Sequence, residues 1–359
     1  MAKFKLALGV LASLLFALAP AAVVHAKDTN SKSSASKKQP KKVKVVLRKG
    51  AHSTAAAPRE KTVRRVITVH GKRKVVYQKV SSAAVPMAAP IPTMGDLAGL
   101  NLTRDPLDLK SSVALVLDQA NAEVLFEKNS NVALPIASIT KMMTGLVVVE
   151  ANQDMDEVLT VTDDDVDRAK FSSSRLKVGS QLTRANMLHI ALMSSENRAA
   201  SALGRNYPGG LPAFVDAMNA KARQLGMMDT HYVDSSGLSK MNVASAHDLA
   251  KLAMAAFQQP LLRQYSTDPK AIVEASGHPM QFGNTNHLVA NPGWEIGLQK
   301  TGFINEAGRC LLMQAVIEGR SVIMVFLDSK GKQSRTADAG RMRKWLEALK
   351  PANISMSGG

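Results

Sequence analysis

Near its start the chain carries an apolar run from Leu6 to Val24, set behind Lys3 and Lys5 and closed by Val24-His25-Ala26. A basic start, an apolar middle and a small-residue end predict an export signal spanning residues 1–26, cleaved before Lys27; Pro20 inside the run argues against a retained span. The pattern then turns polar. Within it, Val63 to Val69 and Lys74 to Gln78 alternate partly around the turn signal His70-Gly71-Lys72-Arg73. That predicts a small hairpin, and because isolated hairpins are marginal in water, one that forms only on a partner. From Ala83 to Pro92 the chain is rich in Ala and Pro, as in a semi-rigid spacer. Residues 27–93 therefore read as a disordered tail and linker, and the folded domain is expected over 94–350, with a short tail at 351–359.

Inside that domain the period of the apolar positions changes again. Val113 to Asp118 and Glu123 to Glu127 form one strand pair, and Leu311 to Ile317 and Val322 to Leu327 form another, each joined by a short polar turn. Between these pairs lie helical patterns at Ile139 to Glu150, Arg184 to Met193, Pro212 to Leu225 and Ala246 to Phe257, and Thr336 to Leu349 closes the chain as an amphipathic helix. Strands at both ends with helices between them predict an α/β (α+β) fold whose sheet is assembled from the two chain ends. The 139–149 stretch is apolar nearly all round, so its helix is expected to be buried.

Charge sharpens this division. The formal net charge is +17, yet residues 27–80 hold 17 Lys+Arg against only Asp28 and Glu60, which leaves residues 81–359 neutral. A neutral body gives no footprint for nucleic acid. The basic tail is either a solvated linker or a tether to an anionic envelope polymer or membrane surface, through attraction that weakens with salt. The single cysteine, Cys310, excludes an intrachain disulfide, lies far from any lipid attachment position, and reads as a small buried hydrophobe. None of the eight histidines has metal-ligand spacing, so neither a metal nor another cofactor is expected.

Three short motifs carry the candidate chemistry: Ser138-Ile139-Thr140-Lys141, Ser195-Glu196-Asn197 and Lys300-Thr301-Gly302. Ser138 opens the buried helix, and Lys141 three residues on shares its face, so the amine can approach the hydroxyl. Burial lowers the pKa of a lysine and makes it a usable base for a serine nucleophile. Ser195 and Asn197 fall on a break between helices, where a hydroxyl can relay a proton and an amide can hold a substrate backbone. Lys300 and Thr301 lie on a strand and can bind a carboxylate, while Gly302 lets a substrate backbone approach.

In this order the motifs resemble those of the penicillin-recognising serine acyltransferases. From about Asp108 to Leu349 the chain resembles the low-molecular-mass penicillin-binding proteins of the D-alanyl-D-alanine carboxypeptidase family, and most of all their short endopeptidase branch. Asp234-Ser235-Ser236-Gly237-Leu238, Asn284 to Leu288, Lys300 to Phe303 and Glu306 to Cys310 carry the resemblance further. It implies a β-lactamase/transpeptidase-like fold, an antiparallel sheet flanked by helices with a helical subdomain. It also implies Ser138 as nucleophile, Lys141 as base, Ser195 and Asn197 lining the cleft, and Lys300 with Thr301 on the substrate carboxylate. The backbone N–H groups of Ser138 and Phe303 would form the oxyanion hole. Implied partners are peptidoglycan peptides and β-lactams, in the periplasm. The short ending after the last helix favours an endopeptidase over a carboxypeptidase with a further β-rich domain. A class A β-lactamase is disfavoured because no E-x-x-L-N segment is present. A non-catalytic wall-binding protein acting through its tail is the alternative of another class.

Overall fold

The structure, a computed structural model, describes residues 60–69, 72–81 and 91–349. The expected export signal, most of the basic tail and its Pro86–Pro90 spacer, and the segment from 350 onward lie outside the described residues. Among the described residues no helix is long and apolar enough to cross a membrane. Two units are described separately, one within Met1–Met87 and the other within Ala88–Gly359.

In the first unit, strands Glu60–Val69 and Lys72–Ser81 pair antiparallel, from Glu60↔Ser81 to Val69↔Lys72. These strands lie where the alternation around His70-Gly71-Lys72-Arg73 predicts a small hairpin. The strands are longer than the alternation suggested. Ten consecutive residues of each strand stand in register, Val66 opposite Val75 among them.

In the second unit, the central sheet comprises β1 (Ser111–Asp118), β2 (Val124–Lys128), β3 (Glu295–Ile304), β4 (Gly308–Ile317) and β5 (Arg320–Ser329). Their spatial order is β3-β4-β5-β1-β2, all antiparallel. The N-terminal strand pair thus joins the C-terminal strands through β5 and β1, from Val322↔Asp118 to Ser329↔Ser111. That is the sheet expected from apolar runs at both ends of the domain.

Every residue of β1 is buried, which explains why it reads as a continuous apolar run. Successive side chains of a strand point to opposite faces. Val113, Leu115 and Leu117 join the large core shared with the helices; Ala114 and Val116 join a smaller core with Ala339, Met342 and Leu346. The sheet is therefore covered on both sides.

The helices are α1 (Thr140–Glu150), α2 (Arg184–Met193), α3 (Asn197–Arg205), α4 (Gly210–Gln224), α5 (Ala246–Phe257), α6 (Pro260–Thr267) and α7 (Ser334–Ala348). As expected from its apolar circumference, α1 is buried from Thr140 to Val148. The apolar pattern did not single out α6 or the hairpin Lys270–Ala275/His278–Gly283. Both are short and only half-buried, so neither leaves a strong period. β3 is an edge strand of the sheet, and its inner face meets the 3₁₀ turn Ala137–Ile139 that leads into α1.

Candidate active site

Ser138 lies in that 3₁₀ turn, half-buried, between Ala137 with φ +48° and the first turn of α1. A left-handed alanine is strained, and such strain persists only where the surroundings enforce it. Here the enforcement is visible. The Thr140 hydroxyl donates to the Ala137 carbonyl at 2.8 Å, and Asn242 Nδ2 donates in turn to Thr140 Oγ1 at 3.1 Å.

Two glycines close on the same peptide from either side. A Cβ on Gly302 would stand 2.8 Å from the Ile136 carbonyl oxygen and 3.2 Å from the Ser138 nitrogen. A Cβ on Gly237, whose φ is +81°, would be driven into the Ala137 carbonyl. Both positions require glycine because other backbone lies where a side chain would begin.

Lys141 has no solvent exposure. Its Nζ stands 3.0 Å from Ser138 Oγ, 2.7 Å from Asn197 Oδ1 and 2.5 Å from the Ser236 carbonyl oxygen. Burial lowers its pKa from 10.5 to about 7, against the opposing pull of Asp234 and Glu196. A neutral amine has two N–H donors and one lone pair. With its donors on Asn197 and Ser236, the lone pair is left for the Ser138 hydroxyl, the arrangement a general base requires.

The Ser236 carbonyl is held in place by Asp234. Its Oδ1 accepts from the Ser236 and Gly237 amides at 2.7 and 2.5 Å, and its Oδ2 accepts from the Ser239 amide at 2.9 Å. Thr144 on α1 donates to the neighbouring Ser235 carbonyl at 2.7 Å. This loop was noticed in the sequence only as part of a resemblance; its contribution is a backbone carbonyl, which carries no side-chain signature.

Ser195 connects α2 to α3 with φ +61°, a second strained non-glycine residue at the cleft. The turn leaves Ser195 and Asn197 half-buried, with Asn197 Nδ2 donating to Ser172 Oγ at 3.0 Å. Lys300 Nζ donates to Ser195 Oγ and to the Thr301 carbonyl, both at 2.9 Å. Lys300 too has no exposure, and its pKa falls well below the usual lysine range, first through burial and then through repulsion from Lys141 and Arg335. The Thr301 hydroxyl pairs with that of Thr285 at 2.7 Å. Phe303 is 50% exposed at the cleft edge, with the Arg309 guanidinium over its ring at 4.5 Å.

Ser138, Lys141 and Asn197 thus form one hydrogen-bonded group and Ser195 with Lys300 another, while Thr301, Gly302 and Phe303 follow along the same strand. Arg335 was missed. It donates from α7 to the Gly302 carbonyl at 2.7 Å and to the Cys310 carbonyl at 3.3 Å, and burial lowers its pKa to about 10. The one hint in the sequence is a cation in the first turn of a helix, where the macrodipole disfavours it. Cys310 is fully buried, and burial pushes its thiol up to about 12, as suits a packing residue. Among the described residues no group of three His, Cys, Asp or Glu could hold a metal ion.

Residues 101–331 match the family described as D-alanyl-D-alanine carboxypeptidase, peptidase S11. A Pseudomonas aeruginosa protein named D-alanyl-D-alanine endopeptidase is 48% identical over 275 residues, 76% of this chain and 86% of that protein. An Escherichia coli protein of the same name is 44% identical over 245 residues, 68% and 79% of the two chains. Among solved structures, the Streptomyces K15 DD-transpeptidase superposes with a TM-score of 0.64 at 25% identity, over 69% of this chain and all of that one. The buried lysine beside a serine that follows a strained alanine, facing a lysine on a sheet edge, therefore belongs to a serine peptidase of the D-alanyl-D-alanine carboxypeptidase family, peptidase S11.

Proposed function

We propose that this chain is a D-alanyl-D-alanine endopeptidase that hydrolyses the peptide crosslinks of peptidoglycan through an ester on Ser138, and that β-lactams acylate the same hydroxyl. One observation carries the proposal: Lys141 Nζ, unexposed and with a pKa near 7, lies 3.0 Å from Ser138 Oγ. The endopeptidase branch is favoured because relatives at 48% and 44% identity bear that name, whereas those named carboxypeptidase stand at 28–30%.

Neutral Lys141 takes the Ser138 proton as Oγ attacks the D-alanyl carbonyl carbon. The oxyanion develops against the backbone N–H groups of Ser138 and Phe303, which Gly302 brings within reach of one peptide. When the tetrahedral centre collapses, the C–N bond breaks and the leaving amine takes the proton that Lys141 held, passed through Ser195 Oγ, which Lys300 holds at 2.9 Å. Water then adds to the ester, gives its proton back through Lys141, and releases the acid. The leaving side carries a carboxylate, which Lys300 and Thr301 bind; Asn197 holds the acyl side. Arg335 adds positive charge behind this pocket without leaving the Gly302 carbonyl.

The enzyme acts in the periplasm after loss of residues 1–26, and the basic segment through residue 80 holds it near an anionic envelope polymer or membrane surface. The test uses the mature chain from Lys27 onward, wild type beside Ser138→Ala, given crosslinked muropeptide dimers and monomeric pentapeptide, with products separated by mass. Dimers should become monomers, and the alanine variant should release nothing. Release of D-alanine from pentapeptide alone would make it a carboxypeptidase, and no serine-dependent product from either would end the hydrolase reading.

A further inference from the structure

Next to the lysine cluster lies a groove of about 470 Å³ between residues 164–170 and the 234–240 loop. Asn197 and Ser236, two of the groups that hold Lys141, also line it; Ser195, Lys300 and Thr301 do not. The groove therefore adjoins the cleft at Asn197, the residue assigned to the acyl half of the substrate. Its walls include the apolar side chains of Val166, Ala169 and Leu238.

Its charges are arranged unusually. Glu306, from the turn joining β3 to β4, ion-pairs with Lys170 through Oε1, while its Oε2 is shielded from water and has no hydrogen-bond partner. A shielded, unpaired carboxylate oxygen is costly, and it calls for a ligand or donor to complete it. The hydrogen bond from Lys170 chiefly holds the Glu306 carboxyl below its usual range, and Lys240, exposed in the same groove, adds the smallest contribution. Among the described residues Lys240 forms no ion pair. Of the other acids in the lining, Asp165 pairs with Arg205, Asp167 and Asp234 accept from backbone amides, and Asp164 is exposed to solvent; Glu306 Oε2 is the shielded carboxylate oxygen left without a donor.

We infer that this groove binds the far end of the diamino acid preceding the scissile D-alanine, a carbon bearing both an ammonium and a carboxylate. Glu306 takes the ammonium and Lys240 the carboxylate. The inference rests on the endopeptidase reading. In a crosslink the acyl stem keeps the far end of its own diamino acid free, whereas the other stem has spent that amine on the bond. A zwitterion is thus present on the acyl side alone, and it complements Glu306 and Lys240 in both signs. Lys170, about a third exposed, occupies the Glu306 carboxylate in the free protein and shifts to share it.

The experiment follows cleavage of three crosslinked dimers by the mature full-length chain: unmodified, acetylated at the free ammonium, and amidated at the adjacent carboxylate. In the wild type each modification should raise KM about tenfold with kcat little changed, the loss of one charge-assisted contact. Glu306→Gln should lose its sensitivity to acetylation and keep that to amidation; Lys240→Ala should do the reverse. A folding defect would lower all three substrates together and leave their ratios intact. Equal cleavage of all three by the wild type, or wild-type ratios in both variants, would overturn the groove assignment and leave the Ser138 chemistry standing. No Ser138-dependent cleavage of any dimer would overturn both.

Discussion

The two walls of the cleft each bury a lysine, and the pair differ in what surrounds them. Lys141, on the helical wall, faces three oxygens; burial lowers its pKa to about 7, partly offset by the carboxylates of Asp234 and Glu196. Lys300, on the sheet wall, has a hydroxyl and a carbonyl, and the charges named beside it are the cations Lys141 and Arg335. A buried cation among cations is unfavourable until an anion arrives. On the proposed reading the helical wall moves a proton and the sheet wall receives the substrate carboxylate.

Three measurements press on that contrast. Lys141→Ala removes the base and should lower the rate of penicillin acylation by up to about 10⁴-fold, read as the appearance of the Ser138 adduct by mass. A loss of tenfold or less would move the base elsewhere. Lys300→Ala should lower kcat/KM about 100-fold, chiefly through KM, and a substrate whose leaving-side carboxylate is amidated should suffer a similar loss on the wild type. If the variant still discriminated between acid and amide, Lys300 would not be the anion's partner.

The smallest effect lies in pH. Lys141 must be neutral to accept a proton, and burial sets its pKa at about 7, so the acylation rate should rise with pH up to that point and then level. Below it the rate should fall about tenfold per pH unit. Levelling only above pH 9 would mean that the amine is not desolvated before the substrate binds.

Much of this site was legible because its parts are local. An i, i+3 pair at the start of an apolar helix dictates that Ser138 and Lys141 share a face, and the strand carrying Lys300 announces itself by its apolar neighbours. Ser195 was legible as a break between two helices, although its left-handed backbone was not. Arg335 and the Ser236 carbonyl were not seen. The first acts 33 residues away from Gly302 along the chain, and the second acts through its backbone. The hairpin at 60–81 was under-read, because alternation interrupted by basic residues understates how many cross-strand pairs can form.

By itself the sequence determined the two apolar hairpins, the buried helix, the order of the three motifs, and the separation of a basic leader region from a neutral body. These follow from periodicity and short-range spacing, which need no knowledge of what lies across the core. Tertiary structure alone decided which backbone closes on Ser138, how Asp234 aims a carbonyl at Lys141, and that Lys300 is hemmed in by cations. It also decided that Glu306 and Lys240 share a groove. Each of these depends on distances between segments far apart in the chain, and on burial, which turns ordinary lysines into groups with altered charge.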